Sequence, residues 1–415
     1  MSSTPSTLQK RARDVEDEAE EDMVAAMIAY ADYTERCKFV CETVQRQCEE
    51  ALNLYLKQRG GETNVMVFEI PTSGFRPELI CEKSFIQDFR FSHAQMDRVV
   101  LGLLSVGFPK IVRTPARDAC PLHEALCMLC MKYAWPTRLG SMVKVFGASV
   151  SKLSRVVSAM RRLLHKAFVS ALNHPGDLSL RELLRFSAAI EAKSGIGGRF
   201  IFGFVDGTVR PMPKPSHLQG AVYTGKDRVH ALKYQSVVTP DGMLHQLAGP
   251  WPGSRHDMHM LRQSALLPYI NNLPRDRDGN QFCIYADCGY AERPGIVAPY
   301  FDGAVNAVHE AWNQAMASSR IAVEWGFGDI VLSWSHLDLV RQQQLLSNRK
   351  IGQVYLVAGL MTNFLNCFKP NRGSQYFNVE PPTFEVYLQK LMRHSAFYQA
   401  CAGAVQGEAI EAIDA

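Results

Sequence analysis

Apolar residues keep two different rhythms along this chain, and the change falls near residue 200. Before it, helical spacing dominates. Met23, Met27, Tyr30, Tyr33, Cys37, Val40 and Val44 line one face of a helix expected over residues 23 to 57. GETNVMVFEIPTSGF follows as a loop, with an extended piece over residues 65 to 69. SHAQMDRVVLGLL then opens a helix behind a serine cap at Ser92. PLHEALCMLCMKYA is a helix that starts at a proline, where a missing N–H costs nothing. WPTRLGSMVKVFG predicts a short helix closed by Gly147, and ASVSKLSRVVSAMRRLLHKAFV a longer one after a three- or four-residue turn.

Beyond residue 200 the runs become short, aromatic and β-branched. RFIFGFVD is an apolar run ending in an acid, and HALKYQSVVTPDGML and LHQLAGP read as strands about the Pro240-Asp241-Gly242 turn. SRHDMHMLRQSALLPYI is helical, NQFCIYAD is a second buried strand ending in an acid, and residues 311 to 325 and 336 to 368 return to helix. Strands first, then strand and helix in alternation, predict an α/β layer domain. The expected organisation is an unstructured acidic tail over 1–22, a helical region over 23–195, an α/β domain over 196–370 and a C-terminal extension over 371–415.

Within the helical region, residues 121 to 172 give helix, glycine-containing turn, helix. The last of these helices starts with Ser149, Ser151, Lys152, Ser154 and Arg155, while Val150, Leu153, Val156 and Val157 face a core. That is the pattern of a helix-turn-helix whose second helix enters a DNA groove, with Lys152 and Arg155 as contacts. An ordinary helical hairpin with solvated basic residues fits the spacing equally.

Charge sharpens the picture a little. The formal net charge is +4, but residues 1–22 alone carry −4, which leaves +8 on the rest and favours a polyanionic partner. Eleven cysteines without a repeating spacing suit a reducing compartment. The one tight pair, Cys127 and Cys130, lies in an apolar helix with no second pair of ligands following, so buried thiols are expected there, not zinc. There is no run of 18 apolar residues and no secretory-type apolar core near the N-terminus, so an intracellular protein with no membrane span is expected.

The chemistry lies where two buried strands run into acids. Residues 200 to 205 lead to Asp206-Gly207, and residues 282 to 286 lead to Asp287-Cys288-Gly289. The carboxyl ends of strands in an open α/β sheet are where ligands meet side chains, and two carboxylates there are a minimal cage for a hard divalent ion. Turn and cap roles are the plain alternative for either aspartate. Glu324 is a third acid, one helical turn after Arg320, and an Arg320–Glu324 surface pair is its plain reading. His256 invites a hydrolase reading, but no serine or cysteine nucleophile accompanies it. The glycine-rich GIGGRF run precedes a strand where a nucleotide-binding loop would follow one.

Five segments in order carry a resemblance: FVDGTVRPMPKP, GKDRVHALKYQSVVTPDGML, GPWPGSRHDMHMLRQS, YADCGYAERPGIVAPY and WNQAMASSRIAVEWGFG. Over residues 200 to 330 the chain resembles the transposon-derived endonucleases of the PIF/Harbinger type, and WPTRLGSMVKVFGASVSKLSRVV is similar, more weakly, to their N-terminal segment. The resemblance implies a ribonuclease H-like DDE nuclease domain with Asp206, Asp287 and Glu324 as its catalytic acids. It implies Asp257 as a further acid near the metal and Arg320 as the arginine one turn before the glutamate. The sequence departs from the family at Trp325 and at Asp329, where polar or basic residues are common.

The same resemblance implies cleavage of DNA phosphodiester bonds with two divalent ions, Mg²⁺ or Mn²⁺, held by Asp206, Asp257, Asp287 and Glu324. Lys214, Lys226, Arg228, Lys233, Arg255 and Arg320 are candidate phosphate contacts beside Lys152 and Arg155. The expected partners are DNA, a separate DNA-binding protein and a second copy of the chain, with the nucleus as the expected place and the cytoplasm as the alternative. A domesticated DNA-binding or chromatin-associated protein without catalysis is the competing class. A hydrolase acting on a small phosphate ester is a third.

Overall fold

The computed structural model describes residues 74–136, 138–173, 176–195, 200–300, 306–340 and 350–399. The acidic tail, the helix expected over 23–57 and the extended piece over 65–69 lie outside the described residues.

The helical segment follows its sequence closely. Helix α1 (Glu82–Phe89) buries Phe85 and Phe89 and ends where Arg90 takes a left-handed backbone. Helix α2 (His93–Ser105) opens in a capping box: Ser92 Oγ accepts the Gln95 N–H at 3.1 Å, and Gln95 Oε1 accepts the Ser92 N–H at 3.0 Å. Such a cap stabilises a helix by about 1 kcal/mol. Strands β1 (Ile111–Arg113) and β2 (Ala119–Pro121) form an antiparallel ribbon. Helix α3 (Leu122–Ala134) is buried nearly all round, as its unbroken apolar run requires, and Cys127 and Cys130 are interior thiols whose pKa burial pushes up. Helix α4 (Leu139–Phe146) stops at Gly147, whose left-handed backbone (φ 59°) turns the chain into α5 (Val150–Asn173). Helix α6 (Leu180–Ser194) has a second capping box, Ser179 with Glu182.

The remainder is a mixed sheet wrapped by helices. Its elements are β3 (Ile201–Pro211), α7 (Gln219–Val222), β4 (Tyr223–Thr224), β5 (Val229–Val238), β6 (Leu244–Pro252), α8 (Asp257–Gln263), α9 (Leu266–Asn271), β7 (Cys283–Ala286), β8 (Ile296–Val297), α10 (Ala307–Ser333), α11 (Ile351–Asn366), α12 (Arg372–Phe377) and α13 (Phe384–His394). The strands run in the order β6-β5-β3-β7-β8, with β4 pairing the start of β5. β5 runs antiparallel to both of its neighbours, β6 and β3, whereas β7 and β8 run parallel to β3.

Four details differ from the sequence expectation. The stretch expected as helix over residues 336 to 368 opens on a 3-10 turn (Ser335–Asp338), and among the described residues α11 covers only Ile351–Asn366 of it. Strand β3 does not stop at Asp206, because residues 207 to 211 continue pairing with β5, Gly207 opposite Gln235 and Pro211 opposite Ala231. The helix expected over SRHDMHMLRQSALLPYI breaks into α8 and α9 at Ser264. That hydroxyl donates back to the Leu261 carbonyl and accepts from Gln235 Nε2 on β5, a local bond that competes with helix continuation. Helix α10 is much longer than 311–325, because Asn306 caps it early by accepting the His309 N–H.

One hydrophobic core runs from Phe75 to Leu391. Helix α5 reaches it from the helical side, with Phe168 edge-on to Phe364 of α11. The residues after 370 join the same core: Phe377 stacks on Phe204 of β3, and Phe384 packs on Phe364 and Phe368. Asn363 and Asn366 of α11, and Asn371 after it, tie these helices to the β5–β6 turn. Asn363 bonds both backbone groups of Leu244, Asn366 donates to the Gly242 carbonyl, and Asn371 donates to the Asp241 carbonyl. Helix α10 crosses the sheet at Gly326, where a Cβ would lie 2.9 Å from Val238 Cγ2, so only glycine permits that approach without displacement.

Candidate functional site

The parallel pairing of β3 and β7 decides where the two strand acids stand. Val205 is the register partner of Ala286, so Asp206 and Asp287 follow at one level on neighbouring strand segments, at a strand spacing of about 4.8 Å. Period-two alternation puts Asp206 on the same face as Phe204 and sends Gly207 to the other. Each aspartate bends one carboxylate oxygen back onto the next N–H, Asp206 Oδ1 accepting from Gly207 and Asp287 Oδ1 from Cys288, both at 2.7 Å.

Helix α10 covers the Asp206 face and supplies the third acid. Its Arg320 Nη1 donates to Asp206 Oδ2 at 2.7 Å, while Nη2 lies 3.5 Å from Glu324 Oε1 one turn on. The expected Arg320–Glu324 pair therefore exists, but Arg320 is shared, and its closer partner is the strand aspartate. Burial pushes the Asp206 carboxyl above its ordinary range. Arg320 and the Gly207 N–H pull it back, and neighbouring Asp287 adds to the rise.

Asp257 comes from the opposite layer. It is the first residue of α8, and its carboxylate lies against the two glycines that follow the strand acids. A Cβ on Gly207 would be 3.1 Å from its Oδ1, and one on Gly289 would be 2.8 Å from its Oδ2. The bare glycines are thus what lets a fourth carboxylate approach both acid-bearing segments. Beneath them Tyr290 is buried, and its hydroxyl has no hydrogen-bond partner among the described residues. Burial first, then Asp257, Asp206 and Asp287, raise that phenol far above its usual range. Sequence reading passed over Tyr290; its place one residue after Gly289 was the available signal.

The basic candidates divide. Lys214, Lys226 and Arg228 are exposed. Lys226 acts electrostatically on Cys288: burial and then Asp287 push that thiol up, and Lys226 opposes them. Lys233 Nζ is engaged by the Arg255 carbonyl at 2.5 Å. On α5, Lys152 is half-buried, and Arg155 is bound in a two-pronged ion pair to Asp118, with Nε to Oδ2 at 2.5 Å and Nη2 to Oδ1 at 2.9 Å. Nothing in the sequence signalled Asp118. Arg320, counted among the phosphate contacts, is held by Asp206 and Glu324.

The donor set suits a hard divalent cation, since carboxylate oxygens flank an orphaned buried hydroxyl that a hydrated ion would satisfy. Among the described residues, however, no three acidic, histidine or cysteine side chains converge as a finished cage. Asp206 already has both oxygens engaged, and the Glu324 side chain is 57% exposed.

Residues 205–363 match the family model of DDE superfamily endonucleases, a span that takes in Asp206, Asp257, Asp287, Arg320 and Glu324. That segment carries the pattern of a transposase-like nuclease domain, in a chain whose mixed α/β sheet is compatible with one. No curated protein and no solved structure matches the chain. No helix among the described residues is long and apolar enough to cross a membrane.

Proposed function

We propose that this chain is a divalent-metal-dependent DNA endonuclease of the PIF/Harbinger transposase type, with Asp206, Asp287 and Glu324 as its catalytic acids. The observation that carries the reading is the level placement of Asp206 and Asp287 on adjacent parallel strands, inside the segment that matches DDE endonucleases. A ribonuclease H-like fold is supported by the order β6-β5-β3-β7-β8, three antiparallel strands followed by two parallel ones, with the glutamate on a later helix.

Asp206, Asp287 and Glu324, with Asp257 beside them, would hold the cation, Mg²⁺ or Mn²⁺. Such ions supply an activated water and neutralise charge on the transferring phosphoryl group. The chain's own contribution is placement. Backbone pairing fixes the two strand acids, and α10 is seated by its glycine contact, with Arg320 linking Glu324 to Asp206. Lys226, exposed and acting electrostatically on Cys288, is suited to draw a phosphate toward the acids, and the exposed Lys214 and Arg228 are further candidates for that role. α4, Gly147 and α5 support a helix-turn-helix, with Lys152 as its freer basic side chain. DNA is the proposed partner, together with a separate DNA-binding protein and a second copy of the chain, and the nucleus is the proposed site of action.

One observation favours the competing reading of a DNA-binding protein without catalysis: Arg320 is ion-paired to Asp206, the first of the three acids. Plasmid cleavage by the full chain in Mg²⁺ or Mn²⁺, against a chelator control and alanine at each acid, separates the two. Chelator-sensitive nicking that each alanine abolishes supports the enzyme. Firm duplex binding with no cleavage under any metal rejects it.

A further inference from the structure

Strand β3 pairs with β5 without a register shift from Phe204 to Pro211, so Asp206, Thr208 and Arg210 share one face. The packing agrees. Phe204 stacks on Phe377 of α12, Asp206 meets Arg320 of α10, and the Arg210 guanidinium lies over the ring of Tyr355 of α11, 5.0 Å from its centroid. That ring is itself braced, because Tyr355 and Tyr234 of β5 are both buried with 4.3 Å between their centroids. Arg210 nevertheless lacks an anion. It is half-buried, its Nε is shielded from solvent without an acceptor, and no carboxylate pairs with it among the described residues. Arg320, by contrast, is engaged by Asp206 and Glu324. A partly desolvated guanidinium with no counter-charge is costly to keep, and its planar fork matches a phosphate group.

We infer that Arg210 is a DNA contact of the acid-bearing face, where it grips a backbone phosphate of the duplex at a fixed distance along β3 from Asp206. This rests on the reading of that face as a DNA-cleaving site. Four residues of strand separate the two positions by about 13 Å, and a duplex carries one phosphate per about 3.4 Å of axis on each strand. Arg210 thus meets a phosphate about four steps from the one at the acids. Tyr355 fixes the plane of the fork, so the contact sets the register of the substrate along the strand.

The test is duplex binding by the full-length protein in chelator, read by anisotropy across several salt concentrations, beside a thermal melt of each protein without DNA. Wild type is compared with Arg210→Met and Arg210→Lys. Arg210→Met keeps an apolar stem on Tyr355 and removes the charge. It should melt close to wild type, bind duplex about tenfold more weakly and lose about one from its salt slope. Arg210→Lys keeps the charge and loses the fork, so it should keep the slope with an intermediate affinity, and it serves if the methionine variant does not fold. Unchanged affinity and slope in both variants, with firm binding by wild type, would make Arg210 a stacked scaffold residue. Equal losses in both variants at an unchanged slope would do the same. Either result overturns the contact and leaves the DNA-cleaving reading standing. No duplex binding by wild type overturns both.

Discussion

Asp206 and Asp287 stand one residue beyond the register pair Val205–Ala286, so their separation is set by main-chain pairing between β3 and β7. Neither side chain is needed to hold that spacing. Asp287→Asn should therefore leave the fold intact and keep duplex affinity in chelator within a few-fold of wild type. It should lower metal-dependent cleavage by about two orders of magnitude or more, since it removes the charge that holds a hard cation. Paired measurements of nicking rate and duplex affinity check this, and equal cleavage by both proteins removes Asp287 from the site.

Gly289 tests the approach of Asp257. An alanine there places a methyl 2.8 Å from Asp257 Oδ2 and forces the carboxylate away. Cleavage should drop by roughly ten- to a hundredfold, the range for displacing a supporting group at a metal site. Asp257→Ala should lose a similar amount, and the double variant no more than either, because both act on one contact. Fully additive losses would show that Gly289 matters for some other reason.

On α5 the two basic residues should separate. Arg155→Ala breaks the fork to Asp118 and should lower the melting temperature. Lys152→Ala removes only a weaker electrostatic pull on Asp118 and should change stability little while weakening duplex binding and reducing its salt slope by about one. Unaltered affinity for Lys152→Ala, read by anisotropy across several salt concentrations, would leave α5 as scaffold.

His245 gives a pH prediction away from the acids. Its Nε2 meets the Tyr269 hydroxyl at 2.9 Å, and burial, with Lys390 adding to it, pushes the imidazole down to about 3 from its ordinary 6.5. The unfolded chain then binds the extra proton between those values. Stability from this group is complete above pH 6.5 and drains away as pH falls toward 3, by at most about 1.4 kcal/mol per pH unit. Asp241, whose carboxyl burial pushes up, slopes the other way, so the difference between wild type and His245→Gln is the quantity to plot. Parallel denaturation curves across roughly pH 4 to 7 would refute the assignment.

Much of the fold was legible because local signals coincided with tertiary ones. Ser92 with Gln95, Gly147 after an apolar helix, and Pro240-Asp241-Gly242 between β-branched runs each mark a boundary by their own chemistry. The extension of β3 past Asp206 was not legible, because residues 207 to 211 become strand only by pairing with β5. At the site, the acids could be read as strand ends and as a family pattern. That Arg320 chooses Asp206 over its own helix neighbour could not, since helix periodicity describes one helix and says nothing of the sheet beneath it.

Phe204, two residues before the first acid, stacks on Phe377 from beyond residue 370, while Phe168 of the helical segment meets Phe364 behind the sheet. Cutting the chain at 195 or at 371 would thus open aromatic interior to water, not separate two finished surfaces. The stretch from 74 to 399 behaves as a single casting. Exchanging its helical segment for another would require redesigning the apolar packing behind the acid-bearing strand at the same time.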